Sequence, residues 1–186
     1  MKNIFLIILL SSTIACTAQT YPLRTYGIEF PKDSYQKDTN NELQVYEGTW
    51  KGTWDNKTIF ITFNKIKYYK SFLDFRAFYA DILVGKFKVL NTIGNILFDN
   101  TSLANENAKI KGVNFIKNDD KYLLIYADPD LCHTSGNIRI NFTDATKTKL
   151  NWNLYLTTGI ITDNCPYYNT TPFPQALPEE IVLTKQ

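Results

Sequence analysis

The chain has 186 residues, of which 20 are Lys or Arg and 18 are Asp or Glu, so its formal net charge is +2. This size suits one domain with an ordinary hydrophobic core. A charge so close to zero gives no electrostatic reason to expect a nucleic-acid partner, and we expect none. Phe, Tyr and Trp make up 15% of the residues, a composition typical of half-buried strands.

Residues 1–18 have the three-part layout of a secretory signal peptide. Lys2 supplies a positive charge, residues 4–10 form an uninterrupted apolar run, and small residues lead to Cys16. The run is far shorter than the roughly 20 residues that a membrane-spanning helix needs. We therefore predict an exported protein that is processed at this segment.

The end of this signal allows two processing routes. Ala15 and Cys16 after the apolar run resemble the lipobox of bacterial lipoproteins, with Thr13 where that motif usually carries Leu. The resemblance implies that Cys16 receives acyl chains such as palmitate and becomes the mature N-terminus. Several acyl chains hold a protein stably on a bilayer, so the product is a membrane-anchored lipoprotein of the bacterial envelope. The alternative is cleavage after Ala18, which yields a secreted or periplasmic soluble protein.

Three cysteines are present in the sequence. Acylation or removal of Cys16 leaves Cys132 and Cys165 as an even pair in an oxidising compartment, and we predict a disulfide between them. On the chain-entropy account, closing a loop of that length stabilises the fold by roughly 3 to 4 kcal/mol.

Residues 19–43 are polar and irregular, with Pro22, Pro31 and a polar run at residues 37–41. This composition is typical of a tether or of a segment laid over the domain. The pattern changes after this segment, and we place a single β-rich domain over residues 44–186.

Strand patterns dominate that domain. Apolar residues and glycines alternate with polar residues from residue 46 to residue 55, which sends Trp50 and Trp54 to one face and the charged side chains to the other. Similar patterns recur between turn residues. The predicted strands cover residues 46–55, 58–64, 83–89, 96–98, 109–117, 122–126, 138–142, 150–154 and 180–185.

Eight or nine strands joined mostly by short turns predict an all-β fold, an antiparallel meander that forms a barrel or a sandwich. For one segment, residues 68–79, the sequence favours neither helix nor strand. Its aromatic residues have the spacing of one helical face, at Tyr68, Phe72, Phe75 and Tyr79.

Two loops interrupt the strand pattern. Residues 128–136 include His133, the sole histidine, and residues 157–178 include four prolines. The second loop is unusually long for a compact domain without a purpose. The predicted disulfide would hold the two loops together. We take His133, Tyr167, Tyr168 and Phe173 as a candidate binding surface.

Gly48, Thr49 and Trp50 resemble the Gly-X-Trp signature on the first strand of lipocalins. In that family the tryptophan closes one end of an eight-stranded barrel, and an arginine on the last strand packs over it. The last predicted strand here, residues 180–185, has no arginine. The resemblance implies a lipocalin-like barrel.

A broader resemblance covers most of the chain. The signal with its cysteine, residues 37–43, Tyr46 with residues 48–50, and the C-terminal residues 183–186 together resemble an uncharacterised family of small flavobacterial lipoproteins, a domain-of-unknown-function family. The resemblance implies a place in the bacterial envelope and no particular activity.

The sequence offers no constellation of catalytic residues. His133 adjoins Cys132, but adjacent side chains on an extended chain point apart and the thiol is assigned to the disulfide. One histidine does not make a usual zinc site, and Asp128 and Asp130 lack the glycine and distal glutamate of a calcium loop. No phosphate-binding loop or nucleophile elbow occurs. We therefore expect no enzyme, no cofactor and no metal.

The sequence thus predicts a non-enzymatic, monomeric, membrane-anchored lipoprotein that acts as a binding or accessory module, with an envelope protein or glycan as its partner. The alternative is a lipocalin-like carrier of a small apolar ligand. The interior separates the two hypotheses, because a carrier needs a cavity and a packed barrel offers none. We assign Trp50, Trp54 and Trp152 to a core rather than to a cavity wall.

Overall fold

The chain folds into mostly antiparallel strands with short 3-10 turns between some of them. The computed structural model describes residues 19–71, 77–157, 159 and 161–186. The strands are β1 (Thr20–Pro22), β2 (Tyr35–Lys37), β3 (Gly48–Trp54), β4 (Lys57–Lys70), β5 (Phe78–Leu90), β6 (Ile96–Asp99), β7 (Ile110–Phe115), β8 (Tyr122–Asp128), β9 (Thr134–Phe142), β10 (Lys149–Thr157) and β11 (Glu180–Lys185). The 3-10 turns are Gln44–Tyr46, Asn105–Asn107 and Pro129–Leu131. The predicted all-β class is confirmed.

Eight of these strands, β3 to β5 and β7 to β11, close into an antiparallel barrel. The order around the wall is β5, β4, β3, β11, β10, β9, β8 and β7. The wall closes where β7 pairs with β5, with Ile110 opposite Gly85. A Cβ atom on Gly85 would lie 2.9 Å from the Phe63 ring and 3.1 Å from Cβ of Ile110, so this seam needs a glycine. Of the two predicted architectures, the barrel is the one observed.

Side chains fill the interior of the barrel. Alternate residues of each strand point inward, and Trp50, Trp152 and Tyr122 are at most 1% exposed. The indole N–H of Trp50 donates to the Tyr46 carbonyl at 2.8 Å, and that of Trp152 donates to the Pro178 carbonyl at 2.9 Å. The same core contains Ile59, Ile61, Phe63, Leu83, Phe87, Ile110, Leu124, Tyr126, Ile138, Ile140, Leu150 and Leu183. Trp50 and Trp152 therefore pack a core, as assigned, while Trp54 is partly buried and packs against that core.

Residues 19–43 lie against the barrel. β1 and β2 are parallel to each other, and β2 pairs with β5. The buried carboxylate of Asp38 accepts backbone N–H groups of Glu42 at 2.7 Å and Leu43 at 3.1 Å, and the Lys65 ammonium at 3.2 Å. Since Lys65 belongs to β4, this carboxylate ties the N-terminal segment to the barrel wall.

A cation on the last strand covers the tryptophan of the first barrel strand. The 3-10 turn Gln44–Tyr46 lies across one end of the barrel, beside Trp50. The Lys185 ammonium lies 5.3 Å from the centroid of the Trp50 ring and donates to the Val45 carbonyl at 3.0 Å. The lipocalin resemblance implies an arginine over this tryptophan, and here a lysine on β11 provides the cation.

The two ends of the barrel differ. The closed end carries the turn Gln44–Tyr46 and the connections β7–β8 and β9–β10. The opposite end, called the open end below, carries the connections β3–β4, β5–β7, β8–β9 and β10–β11. Gln19 lies towards the closed end, because its carbonyl accepts the N–H of Tyr35, which lies opposite Tyr79 at the start of β5.

The nine predicted strands correspond to β3 to β11. β1 and β2 were not predicted, because three residues are too few to show an alternation and pairing with β5 holds them in place. Tyr68 and Tyr79 lie in β4 and β5, so strand is the correct alternative for both. Phe72, Phe75, Cys16 and the predicted signal peptide lie outside the described residues. No helix in the described part of the chain is long and apolar enough to cross a membrane.

Candidate binding surface at the open end

A disulfide joins the two loops that the sequence analysis singled out. Cys132 and Cys165 are bonded, with their Cα atoms 5.6 Å apart. The bond connects residues 129–133, between β8 and β9, with residues 161–179, between β10 and β11. We call these two segments the stapled loops. The structure thus contains the disulfide that the cysteine count predicts.

Local sequence shapes the shorter of the stapled loops. Asp128 caps the turn Pro129–Leu131 by accepting the Asp130 N–H at 3.1 Å, and Pro129 occupies the first turn, where its missing N–H costs no hydrogen bond. Cys132 and His133 follow with φ of 53° and 60°, both in the left-handed region. Non-glycine residues rarely adopt this conformation, and here it carries the chain from the turn into β9.

A buried ion pair supports this loop from below. Asp128 is 1% exposed and accepts the Lys109 ammonium at 2.5 Å and the Tyr126 hydroxyl at 2.9 Å. Burial, with Asp128 nearby, raises the pKa of Tyr126, so its hydroxyl stays a donor. Burial alone would lower the pKa of Lys109, but the hydrogen bonds to Asp128 and Asp130 raise it. The loop therefore packs on a cluster of polar side chains that are hydrogen-bonded to one another.

The disulfide lies in the wall of a cleft of about 650 Å³, the disulfide cleft. Both stapled loops contribute to it, and half of the lining side chains are polar. Its lining is Pro129, Asp130, Cys132, His133, Thr162, Asn164, Cys165 and Pro166. A covalently pinned concave surface with several polar groups suits recognition of a partner.

A smaller and more apolar cavity, the mouth slot, lies where the longer stapled loop crosses the end of the barrel. Its volume is about 200 Å³. Residues of β8, β9 and β10 form one side and the returning loop forms the other. Its lining is Tyr126, Leu131, Thr134, Leu154, Leu156, Phe173, Pro174, Gln175, Ala176, Leu177 and Glu179.

The predicted site residues divide between these features. His133 is exposed and lines the disulfide cleft. Tyr168 is 54% exposed. Tyr167 and Phe173 are half-buried and their ring centroids lie 6.0 Å apart, with Phe173 in the wall of the mouth slot. Of the three aromatic residues, Tyr168 is thus the one most available to a partner.

Sequence reasoning missed Ala176 and Leu177. Both are buried in the barrel core and hold the returning loop in the mouth of the barrel. Their signal was present in the sequence as an apolar pair between Pro174 and Pro178. Glu179, which follows this pair and lines the mouth slot, was missed as well.

The described residues of the open end include neither a free thiol nor a metal cluster. The Cys132 sulfur is held in the disulfide and is not a thiolate beside His133. In the part of the chain that the structure describes, no group of three or more His, Cys, Asp or Glu side chains could hold a metal ion. What remains is a surface of aromatic, carboxylate, hydroxyl and amide groups.

The closed end differs in charge. A cleft of about 390 Å³ there includes Arg24, Lys147, Glu42 and Asp120 in its lining. Arg24 bonds Glu42 at 2.6 Å and stacks 4.1 Å from the centre of the Phe115 ring. Cations and carboxylates are therefore mixed at the closed end.

A family model matches the chain over residues 1–186, and the family is described as one of unknown function, DUF6705. No curated protein and no solved structure matches the chain. The match covers the barrel, the stapled loops and the residues before them, and it brings no ligand or activity with it.

Proposed function

The chain belongs to DUF6705, a family of unknown function, and we propose that it is a non-enzymatic binding module anchored in the bacterial cell envelope. In this proposal acyl chains on Cys16 hold the protein on the membrane, as in the flavobacterial lipoproteins that its sequence resembles. The stapled loops bind an envelope protein or glycan. The protein works as a monomer, without a cofactor and without nucleic acid.

The main support for this proposal is that the N-terminal segment and the stapled loops lie at opposite ends of the barrel. Gln19 lies towards the closed end, three residues after Cys16. Three residues span at most about 10 Å when extended. An anchor at Cys16 therefore holds the closed end near the bilayer and directs the stapled loops away from it, towards partners in the envelope.

The disulfide supports the same role. Holding the loops in one conformation before binding reduces the entropy that association costs. Binding surfaces are commonly built from loops on a rigid scaffold, and aromatic residues such as Tyr168 often supply much of the affinity. The filled barrel below the stapled loops is such a scaffold.

The alternative function, a carrier of a small apolar ligand, gains no support from the barrel. Its interior positions are occupied by Trp50, Trp152 and the other buried core side chains. The mouth slot, at about 200 Å³, is smaller than the roughly 300 to 1,000 Å³ of usual ligand pockets.

Crosslinking capture from intact cells tests the proposal. Wild-type protein is compared with Tyr168→Ala and with Tyr155→Ala, which removes an equally exposed tyrosine (54% for both) from the outer wall of β10. We expect Tyr168→Ala to lower recovery of the captured partner by about tenfold or more, as loss of a binding hot spot does. Tyr155→Ala should leave recovery unchanged. Equal recovery with all three proteins would overturn the proposed site.

The mass of the mature N-terminus, measured on the same purified protein, tests the anchor. The proposal requires acyl chains on Cys16. A mature chain that begins at Gln19 would instead identify a soluble exported protein, and would remove the orientation argument.

A further inference from the structure

The stapled loops and the residues next to them carry only negative formal charge. Residues 129–138 and 158–180 contain no Lys or Arg, although the whole chain has 20 of them. The same stretches contain four carboxylates, Asp130, Asp163, Glu179 and Glu180. A chain of net charge +2 therefore carries only negative formal charge on its stapled loops.

Most of this negative charge is not neutralised within the protein. Asp163, Glu179 and Glu180 are exposed and make no ion pair with any residue in the described ranges. Asp130 is paired with Lys109 at 2.7 Å, yet its side chain is 82% exposed, and Lys109 also neutralises Asp128. A cationic partner would therefore meet three carboxylates, Asp163, Glu179 and Glu180, that have no ion-pair partner among the described residues.

One of these four carboxylates, Glu179, borders the apolar cavity of the open end, and another, Asp130, lines the disulfide cleft. Glu179 lines the mouth slot together with Leu131, Leu154, Leu156, Phe173 and Leu177. The slot is too small for a drug-sized ligand and suits a single apolar side chain. Leu156, in the wall of the slot, is 41% exposed, and Tyr168, on the longer stapled loop, is 54% exposed.

Two of the four polar side chains that line the mouth slot already donate their hydroxyl groups within the protein. Tyr126 donates its hydroxyl to Asp128 at 2.9 Å, and Thr134 donates its hydroxyl to the Leu131 carbonyl at 2.6 Å. Recognition of a glycan requires free donors and acceptors for its hydroxyl groups, and an acidic glycan would also be repelled by Asp163 and Glu179. Both considerations favour a protein partner.

We propose that the open end binds a basic segment of a partner protein, with one apolar side chain in the mouth slot and Lys or Arg side chains on Glu179 and the other carboxylates of the stapled loops. This inference rests on the proposed function, because it names the partner of the same stapled loops. The apolar side chain supplies burial, and the charges supply steering and orientation.

Synthetic peptides test this inference with purified protein. One probe carries lysines around a single leucine, a second replaces the lysines by glutamates, and a third replaces the leucine by serine. We expect the first peptide to bind, more weakly as salt is raised, and the other two to bind at least about tenfold more weakly. Equal binding of the lysine and glutamate peptides would overturn the inference.

Charge-neutralising variants locate the contact. Asp163→Asn with Glu179→Gln should weaken binding of the lysine–leucine peptide by about 3- to 10-fold, because two exposed charge contacts are lost. Asp33→Asn with Asp120→Asn removes two exposed carboxylates near the closed end, away from the stapled loops, and should leave binding unchanged. Equal effects of the two double variants would contradict a specific contact.

The capture experiment separates the two proposals. If Tyr168→Ala abolishes capture while the peptides show no charge dependence, or if an oligosaccharide binds in their place, the stapled loops remain the binding site and the basic partner is wrong. If Tyr168→Ala has no effect and no peptide binds, both proposals fail.

Discussion

The Lys185 ammonium serves two groups at the closed end, the Trp50 ring at 5.3 Å and the Val45 carbonyl at 3.0 Å. It thus joins the last strand to the first barrel strand and to the turn that closes the barrel. Val45 and Trp50 lie on either side of the point where the N-terminal segment becomes β3. We therefore expect this one side chain to contribute measurably to stability.

Lys185→Ala should lower the free energy of unfolding by about 1 to 2 kcal/mol, because it removes a cation–π contact and a hydrogen bond from a charged donor. Urea unfolding followed by tryptophan fluorescence measures this change. Lys185→Arg should retain most of the stability. Lys149→Ala removes an exposed lysine from neighbouring β10 and should change stability by less than about 0.5 kcal/mol. Equal stability of Lys185→Ala and the wild type would contradict the assigned role.

Trp50 could be predicted as a buried residue from alternation and from its Gly-X-Trp context. The role of Lys185 could not, because it depends on the register that places Lys185 opposite Trp50 in the β11–β3 pair. That register pairs the last strand of the barrel with its first strand, which are far apart in the sequence. No local pattern in residues 180–185 specifies it.

At the scale of elements, the longer stapled loop depends on two attachments. The disulfide holds it at Cys165, and the buried Ala176 and Leu177 hold it at the mouth of the barrel. The barrel core below does not include the disulfide. We therefore expect loss of the disulfide to free the loop between these points while the barrel still folds.

The double variant Cys132→Ser with Cys165→Ser should be less stable by about 3 to 4 kcal/mol on the chain-entropy account, given the 33-residue separation of the cysteines. Thermal unfolding measures the loss, and hydrogen exchange should show faster exchange in residues 161–175 than in β3 to β5. A reducing agent should lower the stability of the wild type and leave the double variant unchanged. Equal stability before and after reduction of the wild type would contradict the prediction.

The disulfide could be predicted from the cysteine count and the predicted compartment, without any knowledge of geometry. The mouth slot could not be predicted from the sequence, because it is formed by residues 173–177 folding back onto β8, β9 and β10. That contact depends on closure of the barrel. The prolines indicated an irregular loop but not the direction in which it returns.

At the scale of the whole molecule, strand alternation predicted β3 to β11 and the all-β class. It could not choose between a barrel and a sandwich, since inward and outward residues alternate in both. The β5–β7 and β11–β3 pairs decide the question, and both join strands that are not neighbours in sequence. The different roles of the two ends follow only once the barrel is closed.

The central claim is that the protein binds its partner through the open end. Site-specific photo-crosslinking in intact cells tests it most directly, with a benzophenone amino acid at position 168 at the open end or at position 120 at the closed end. Asp120 has a side-chain exposure of 99%, so accessibility does not limit the closed-end probe. We predict a discrete adduct from position 168 that is absent from position 120. An adduct from position 120 with none from position 168 would contradict the claim.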